Sequence, residues 1–409
     1  MTLSAIQTKS QKFDVLSMSP LAVFQCGTLE VMLSDDMDAI KPVWYDLLEE
    51  CSHTVYQHYL WQKAWLETLG AAQNAKPLFI VGCLDSKPIF LIPLVVTQTN
   101  GLTIAKWMGG EHANYRLGLY APSQIDKIKE IMPDLAQATS NNLPYGLDAF
   151  ELTQQPLFWD GNDNPMTVLP TTQSPLSGGA ITLDSDFNVV LERGNAKRKR
   201  KILRAQERSL AELGGYDLIR TQNEVEHNAL YGVFIAQKKQ WFKERGIKNK
   251  FGDEPTTAFF NRLAQYNSEM SEGEALLEFD YIYADGEHLS LLAGGIMDGQ
   301  HFGYFTSMTN DPKYASISPG SLTFYKRIEE ACAENMRRFD FGVGGERYKK
   351  SWCDVTHALI DVTIPVSAKG RLYVASRQLK SNMKRLIKEN ETLWPLVKSA
   401  RRLIAGNSK

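Results

Sequence analysis

Four side chains that can transfer protons or bind anions lie close together in the second half of the sequence. They are Asp340, Glu346, Tyr348 and Lys349. The segment 339–343 is short, apolar and followed by glycines, which is typical of a buried strand. Glu346, Tyr348 and Lys349 therefore fall on a loop just past a strand end, where site residues are common. A tight turn with no chemical role is the structural alternative.

A second candidate segment precedes this strand. Ser318, Pro319, Gly320 and Ser321 predict the start of a helix, because serine is a capping residue and proline suits the first helical position. The following apolar residues recur at helical spacing; they are Leu322, Tyr325, Ile328 and Cys332. Free backbone N–H groups at a helix N-terminus bind phosphate, so Ser318, Gly320 and Ser321 are candidate phosphate-binding residues.

Together these segments resemble the second half of the acyltransferases related to the cellulose-biosynthesis CelD proteins, within the GNAT superfamily. The shared pattern is a Ser-Pro-Gly helix start at 318–320 and an Asp-Phe-Gly-x-Gly-x-x-x-Tyr-Lys run at 340–349. The same run is similar to the aromatic-Lys run of the Fem family of peptidoglycan aminoacyl transferases, which have two GNAT-like domains in one chain. The resemblance extends over roughly residues 30–360.

The resemblance implies acyl transfer, which needs a deprotonated acceptor, a donor to the oxyanion and a bound acyl carrier. It places Lys349 as the donor to the oxyanion or to a phosphate. Tyr348 is a candidate general acid, Asp340 a candidate base or a group that orients Lys349, and Glu346 a weaker candidate base. Each also has an ordinary alternative, such as a surface lysine, a packing tyrosine or a turn-capping aspartate.

A polar loop in the first half provides candidates for the acceptor site. Gly109 and Gly110 follow a predicted strand and precede His112, Asn114 and Tyr115. His112 is a candidate base, and all three polar residues are candidates for binding the acceptor. A structural role for His112 is the alternative.

A basic run, Lys197-Arg198-Lys199-Arg200-Lys201, opens a predicted helix that begins at Asn195. Cations in a first helical turn oppose the helix dipole and repel one another. We interpret Lys197, Arg198 and Arg200 as counter-charges for phosphates of coenzyme A, a tRNA or a lipid head group, with a solvated helix face as the alternative. No tryptophan or tyrosine is interleaved with the run, so specific DNA binding is not indicated.

The loop before the second helix departs from the usual GNAT pyrophosphate pattern, Gln/Arg-x-x-Gly-x-Gly/Ala. Residues 316–321 contain one glycine, and Pro319 has no N–H. This weakens the case for coenzyme A as the acyl carrier while leaving acyl transfer open.

The order of predicted elements repeats in the two halves. Two long hairpins, at 78–96 and 276–297, each follow helices and precede a strand, a loop and a helix. We predict an α/β (mixed α+β sheet) protein with two tandem GNAT-like domains, each a mostly antiparallel sheet flanked by helices. The predicted parts are a leader or an added strand (1–27), an N-terminal domain (28–185), a C-terminal acyltransferase domain (186–370) and a basic helical tail (371–409). Residues 162–177 are predicted to be a loop or domain crossover.

Composition and cysteine spacing indicate the class of protein and its cellular location. The chain has 409 residues, 43% hydrophobic and 22% charged, with a net charge of −2, which is typical of a soluble globular protein. Its five cysteines are widely spaced and form no C-x-x-C pair, so neither a metal site nor a disulfide framework is expected. No secretory signal is recognised, and a cytoplasmic location is predicted.

The tail suggests contact with a membrane. Residues 371–409 contain ten Lys and Arg against two Glu, together with apolar residues at helical spacing. A basic amphipathic helix can lie on an anionic membrane, which predicts peripheral attachment at the inner membrane; a helix packed on its own protein is the alternative.

The resemblance thus implies an N-acyltransferase that uses acyl-CoA and modifies an amine or hydroxyl of a cell-envelope saccharide or lipid precursor. Two alternatives remain open. One is Fem-like aminoacyl transfer from tRNA, which the basic run permits. The other is a non-catalytic polysaccharide-assembly or binding protein, which the altered loop permits.

Overall fold

The structure is a computed structural model that describes residues 19–245, 249–346 and 348–389, with backbone only for 244–245 and 380–389. The strands are β1 (Ala22–Cys26), β2 (Leu29–Ser34), β3 (Lys76–Leu84), β4 (Lys87–Thr99), β5 (Leu102–Trp107), β6 (Leu119–Tyr120), β7 (Ala149–Pro156), β8 (Phe158–Trp159), β9 (Asn162–Asp163), β10 (Thr171–Thr182), β11 (Asp217–Arg220), β12 (Ala275–Ala284), β13 (Glu287–Met297), β14 (Gln300–Met308), β15 (Arg338–Val343) and β16 (Val355–Pro365). The helices are α1 (Lys41–Glu50), α2 (Tyr59–Trp65), α3 (Ile125–Asn142), α4 (Phe187–Glu192), α5 (Ala196–Ala211), α6 (Glu224–Arg245), α7 (Glu254–Tyr266), α8 (Pro319–Ala333), α9 (Lys349–Trp352) and α10 (Ala368–Glu389).

One large mixed sheet runs through both halves of the described chain. Its strand order is β1-β2-β3-β4-β5-β7-β16-β10-β15-β14-β13-β12-β11, with β6 paired to β4. Within it, β5 with β7 and β14 with β15 pair in parallel. Each half therefore has antiparallel strands that lead to one parallel pair, and helices flank the sheet, as the predicted fold requires.

The two halves exchange their last strands. β10, which ends the first half, pairs with β15 of the second half, whereas β16 pairs with β7 of the first half. β10 and β16 also pair with each other at the centre of the sheet. The halves are consequently joined by continuous backbone hydrogen bonding, rather than standing side by side as separate sheets.

The backbone conformation of two tight turns determines the β3–β4 and β12–β13 hairpins. Asp85 and Ser86 have φ of 49° and 65°, and Asp285 and Gly286 have φ of 55° and 77°. Two consecutive residues with positive φ form the tight hairpin turn whose twist matches that of the strands. Both hairpins and their turns were predicted from the sequence.

A single large apolar core spans both halves. It is rich in aromatic residues, and several ring pairs connect the two halves directly. Trp61 lies 5.1 Å from Phe259, and Tyr56 lies 6.2 Å from Phe302, centroid to centroid. Burial of such large rings makes a strong apolar contribution to stability, so the two halves stabilise each other.

Several sequence predictions need correction. The segment 162–177 is not a loop throughout, because β10 begins at Thr171 and occupies the centre of the sheet. β16 was not predicted at all. For residues 1–27 the sequence left open a leader or an added strand, and residues 22–26 form such a strand, β1. Residues 1–18 of the predicted leader and 390–409 of the predicted tail lie outside the described residues.

No helix within the part of the chain that the structure describes is both long enough and apolar enough to cross a membrane.

Candidate active site

Asp340 of β15 lies at the centre of a buried polar cluster that both halves build. Its Oδ2 accepts a hydrogen bond from the Tyr115 hydroxyl at 2.8 Å, and its Oδ1 accepts one from the Gly342 N–H at 2.5 Å. His357 Nε2 of β16 lies 3.5 Å from Oδ2. Tyr115 comes from the loop between β5 and β6, so this cluster links parts of the chain that are distant in sequence.

The buried environment changes the titration of both ionisable groups. Burial raises the pKa of Asp340 to about 6, although hydrogen bonds from Tyr115 and Gly342 and the charge of Lys349 act in the opposite direction. Burial and the nearby Arg338 lower the pKa of His357 to about 4. Near neutral pH an ionised Asp340 therefore lies beside a neutral imidazole.

Replacement of Asp340 by asparagine tests this charge. The folded-state pKa exceeds that of an unfolded aspartate, so between about pH 4 and pH 6 the folded protein binds more protons than the unfolded chain. This group alone therefore makes the free energy of unfolding fall as pH rises through that window, by up to about 3 kcal/mol. We expect Asp340→Asn to lack this component, so that its stability relative to wild type increases with pH in urea denaturation. A stability difference that does not vary with pH would contradict the assignment.

Lys349 and Glu346 form a second part of the site, next to Asp340. Lys349 is the first residue of α9 and is only 7% exposed, so it is not the exposed loop lysine that the sequence suggested. Its Nζ donates to the Gly342 carbonyl at 3.0 Å and pairs with Glu346 Oε2 at 2.9 Å. The Glu346 side chain is 52% exposed, so it offers a carboxylate to solvent that is held by a buried ammonium group.

The site lies where two parallel strands separate. β14 and β15 pair only over residues 300–302 and 338–340. Beyond that point the Asn114 side chain from the first half enters the space between them. Its Nδ2 donates to the Gly303 carbonyl at 3.2 Å and to the Tyr56 hydroxyl at 2.7 Å.

A β-bulge in β14 lies at the same point. Ala293 and Gly294 of β13 are consecutive, yet they pair with Phe305 and Gly303, so Tyr304 has no partner of its own on β13. A bulge bends its strand and redirects side chains, and bulges are common beside active sites. Tyr304 and Phe305 are partly exposed there.

Tyr348 is half-buried and packs against other aromatic rings. Its ring stacks on Phe324 with centroids 4.9 Å apart and also contacts Phe341. Burial raises the pKa of the Tyr348 hydroxyl. These contacts favour the packing alternative over a general acid.

His112 lies apart from its predicted companions. Its ring packs against Phe251, Phe259 and Phe260 at 5.6 to 5.9 Å, and burial lowers its pKa to about 4. Tyr115, three residues later, bonds to Asp340 instead. The structure thus brings Asn114 and Tyr115 to the Asp340 cluster and places His112 in an aromatic environment.

The loop before α8 is held by hydrogen bonds from α5. α8 begins at Pro319 as predicted, but the Ser318 side chain makes no capping bond and Ser318 adopts φ of 52°. Gln206 Nε2 of α5 donates to the Ile317 and Ser318 carbonyls and to Ser321 Oγ. The Ser321 N–H already bonds to the Ser318 carbonyl, which leaves fewer free amides for an anion.

The basic run divides into two groups. Lys199 Nζ lies 3.6 Å from the centroid of the Trp352 ring, and Arg200 donates to Asn188 Oδ1 at 2.8 Å. These two residues therefore have structural partners. Lys197, Arg198 and Lys201 are exposed, so they remain the members of the run available to a phosphate group.

Sequence reasoning missed three residues of the site. Tyr56 and His357 were not singled out, the latter because β16 itself was missed. Cys353 is the third. Its Sγ lies close to Gly179 of β10, since a Cβ atom at that glycine would lie 2.9 Å from the sulfur. Burial raises the pKa of the Cys353 thiol to about 11. The sequence signal that could have found one of them is the run at 340–349, which carries the family resemblance and ends four residues before Cys353.

A separate buried cluster contains possible metal ligands. Carboxylate and imidazole atoms of Glu278, Asp280 and His301 lie within 4.8 Å of one another. Arg327, which is fully buried, approaches Asp280 Oδ2 at 3.1 Å, and Arg220 approaches Oδ1 at 3.0 Å. Both guanidinium groups also pair with Glu334, so the two carboxylates belong to a larger ion-pair network, which favours a structural role over a metal site.

Comparison of the sequence with protein families identifies the class of the second half. Residues 197–350 match the model of an acetyltransferase (GNAT) domain. This segment contains Asp340, Glu346 and Lys349. Residues 197–350 are therefore similar to an acetyltransferase (GNAT) domain. No curated protein matches the chain.

The solved structures that are similar to this chain have low sequence identity to it. FemX is 11% identical, with a TM-score of 0.52 over 78% of this chain and 98% of FemX. L-PGS from Bacillus licheniformis is also 11% identical, with a TM-score of 0.44 over 84% of this chain and 97% of that chain. A tandem GNAT protein from the clavulanic acid biosynthesis pathway is 12% identical, with a TM-score of 0.45 over 83% and 99%. At 11% identity the likeness to FemX concerns the fold alone.

Proposed function

We propose that the protein is an N-acyltransferase that moves an acyl group from acyl-CoA to an amine or hydroxyl of a cell-envelope saccharide or lipid precursor. The observation that carries the proposal is the half-exposed Glu346 carboxylate, bound by the buried Lys349 beside the point where β14 and β15 separate. A carboxylate in this position is suited to accept a proton from an attacking acceptor. The GNAT-type match over residues 197–350 supports the same reaction class.

In this mechanism the acceptor nitrogen or oxygen attacks the thioester carbonyl. Its proton passes to Glu346, the new C–N or C–O bond forms, and the C–S bond breaks to release the coenzyme A thiolate. Lys349 holds Glu346 in one orientation with one N–H and binds the Gly342 carbonyl with another. An ammonium group has three N–H donors, so one remains for the developing oxyanion. Asp340 accepts a hydrogen bond from the Gly342 N–H and so holds the residue whose carbonyl binds Lys349.

The phosphates of coenzyme A would depend mainly on side chains. The loop at 318–321 has few free amides, because Pro319 has no N–H and the Ser321 N–H is bonded internally. Lys197 and Arg198, both exposed at the start of α5, are the cations suited to compensate.

Replacement of Lys197 and Arg198 by glutamine is therefore expected to raise the KM for acyl-CoA about tenfold with little change in kcat. Charges remote from the reacting carbonyl contribute equally to ground-state and transition-state binding, which affects KM alone. Steady-state kinetics at low and high salt would measure the effect. The matched control is Lys369→Gln with Arg371→Gln on α10, which removes the same charge elsewhere. An unchanged, salt-insensitive KM would show that the run is only a solvated face.

A second candidate function is aminoacyl transfer from tRNA. It is favoured by an exposed basic stripe on α5, formed by Lys197, Lys201, Arg204 and Arg208 at helical spacing. Such a stripe suits the backbone of a nucleic acid. The stripe alone supports this candidate, because the likeness to FemX at 11% identity concerns only the fold.

A thiol-release assay tests the primary proposal. It measures free coenzyme A released from acetyl-CoA and longer acyl-CoAs, with extracts of envelope glycans and lipids as acceptors. Mass spectrometry of the same envelope components from a deletion strain would identify the acceptor. Loss of activity after RNase treatment would favour aminoacyl transfer instead. Failure to use any acyl donor would contradict both candidates and favour a non-catalytic role.

A further inference from the structure

α10 has two faces with different environments. One face is anchored on the protein: Val374 is buried, the Tyr373 hydroxyl donates to Glu151 Oε2 at 2.8 Å, and Arg377 pairs with Glu151. The helix backbone also contacts the body of the protein, since a Cβ at Gly370 would lie 1.7 Å from the Asp148 carbonyl oxygen. These contacts fix the rotation of the helix about its axis.

The other face presents isolated apolar side chains to solvent. Leu372 is 76% exposed and Leu379 is 62% exposed. They are seven residues apart and therefore lie on the same side of the helix. Lys369 and Arg371, also exposed, lie beside Leu372. Large apolar residues flanked by exposed cations are the pattern of a helix that lies in a membrane interface.

We propose that this face of α10 is a docking surface for a bilayer that contains anionic lipids. The inference is independent of the proposed transfer reaction. Leu372 and Leu379 would enter the boundary between head groups and acyl chains, while basic side chains contact lipid phosphates.

Charge complementarity supports an anionic occupant. Within Ala368–Glu389 the sequence has seven cations and one acid; the cations are Lys369, Arg371, Arg377, Lys380, Lys384, Arg385 and Lys388, and the acid is Glu389. Arg377 is already paired with Glu151, but the remaining charge strongly favours a negative surface.

The same sequence disfavours a second copy of the chain as the occupant. A helical dimer along Leu372, Leu379 and Leu386 would need apolar residues at the alternate positions of the heptad as well. Those positions hold Ala375, Asn382 and Glu389. Pairing of two copies would also bring two strongly basic helices together, which is unfavourable.

Sedimentation of the full-length protein with vesicles tests the proposal. Wild type should bind vesicles that contain phosphatidylglycerol at low salt, bind neutral phosphatidylcholine vesicles weakly, and be released as salt screens the charges. Leu372→Ser with Leu379→Ser should weaken binding to the anionic vesicles at least about tenfold. Lys369→Gln with Arg371→Gln should weaken it about tenfold or more, because each cation near an anionic surface contributes about fivefold.

Two matched controls separate the α10 face from general surface properties. Val189→Ser with Val225→Ser removes two exposed apolar residues elsewhere, and Lys239→Gln with Lys243→Gln removes two exposed cations from α6. Both should bind vesicles as wild type does. The replaced residues are exposed, so all variants should retain the wild-type Tm.

Three outcomes would overturn the proposal. The first is failure of the wild-type protein to bind anionic vesicles at low salt. The second is binding that the α10 leucine variant retains or that the control variants lose to the same extent. The third is concentration-dependent dimerisation that the leucine variant abolishes, which would assign the face to a second copy of the chain.

Discussion

Glu346→Gln is expected to lower kcat for acyl transfer by about two to three orders of magnitude with little change in KM or Tm. The amide cannot accept the acceptor's proton, and loss of a positioned general base costs about this much. The side chain is half exposed, and the Oε1 of glutamine can still accept a hydrogen bond from the buried Lys349 ammonium group, so the loss of stability is expected to be small. Steady-state kinetics and thermal unfolding would measure both effects.

A matched control for this variant is Glu272→Gln, an exposed glutamate in the turn before β12. It should leave kcat unchanged. Lys349→Met should also lower kcat strongly, since it removes the group that orients Glu346, but it replaces a buried charge and is expected to alter Tm as well. Wild-type turnover by Glu346→Gln would show that another group accepts the proton.

The sequence was sufficient to predict the elements whose pattern is local. Both long hairpins, the helix that begins at Pro319 and the strand that carries Asp340 were predicted because their turns, caps and apolar periods are encoded within a few residues. The fold class followed from their order and from the resemblance.

Features that depend on distant partners were not predictable in this way. β10 is rich in polar residues and contains Pro175, so its composition indicates a loop; it forms a central strand because β15 and β16 supply hydrogen bonds on both sides. β16 was missed for a similar reason, and with it His357. The exchange of β10 and β16 between halves leaves no signal in local periodicity.

Within the candidate site, the surroundings of single residues also depend on distant partners and were not predictable from the sequence. Asp340, Glu346 and Lys349 were identified from their spacing, but the burial of Lys349 depends on α9 and on the Gly342 carbonyl. His112 and Tyr115 lie three residues apart and were predicted to share a site. The structure gives them different surroundings, because α7 from the second half provides aromatic partners for His112 alone.

Gly342→Ala is expected to reduce the free energy of unfolding by about 2–5 kcal/mol and to abolish most transfer activity. Gly342 has φ of 72°, which costs an alanine about 1–2 kcal/mol. Its Cβ would also lie 2.6 Å from Asn114 Nδ2 and 2.9 Å from the Gly303 carbonyl oxygen, and relief of such overlap typically costs about 1–3 kcal/mol. Because Gly342 binds Asp340 through its N–H and Lys349 through its carbonyl, any displacement would disturb both groups.

The neighbouring Gly345 provides the control for this variant, since a Cβ there would meet no atom within 4 Å. Gly345→Ala should leave both stability and activity close to wild type. Asn114→Ala combined with Gly342→Ala should lose less stability than the sum of the two single variants, because the overlap with the Asn114 side chain is absent from the double variant, while the backbone strain and the contact with the Gly303 carbonyl remain. Urea denaturation of the four proteins of this cycle would measure the coupling. Wild-type stability of Gly342→Ala would mean that the strands separate more widely at this point, and the arrangement of Asp340, Lys349 and Glu346 around Gly342 would have to be revised.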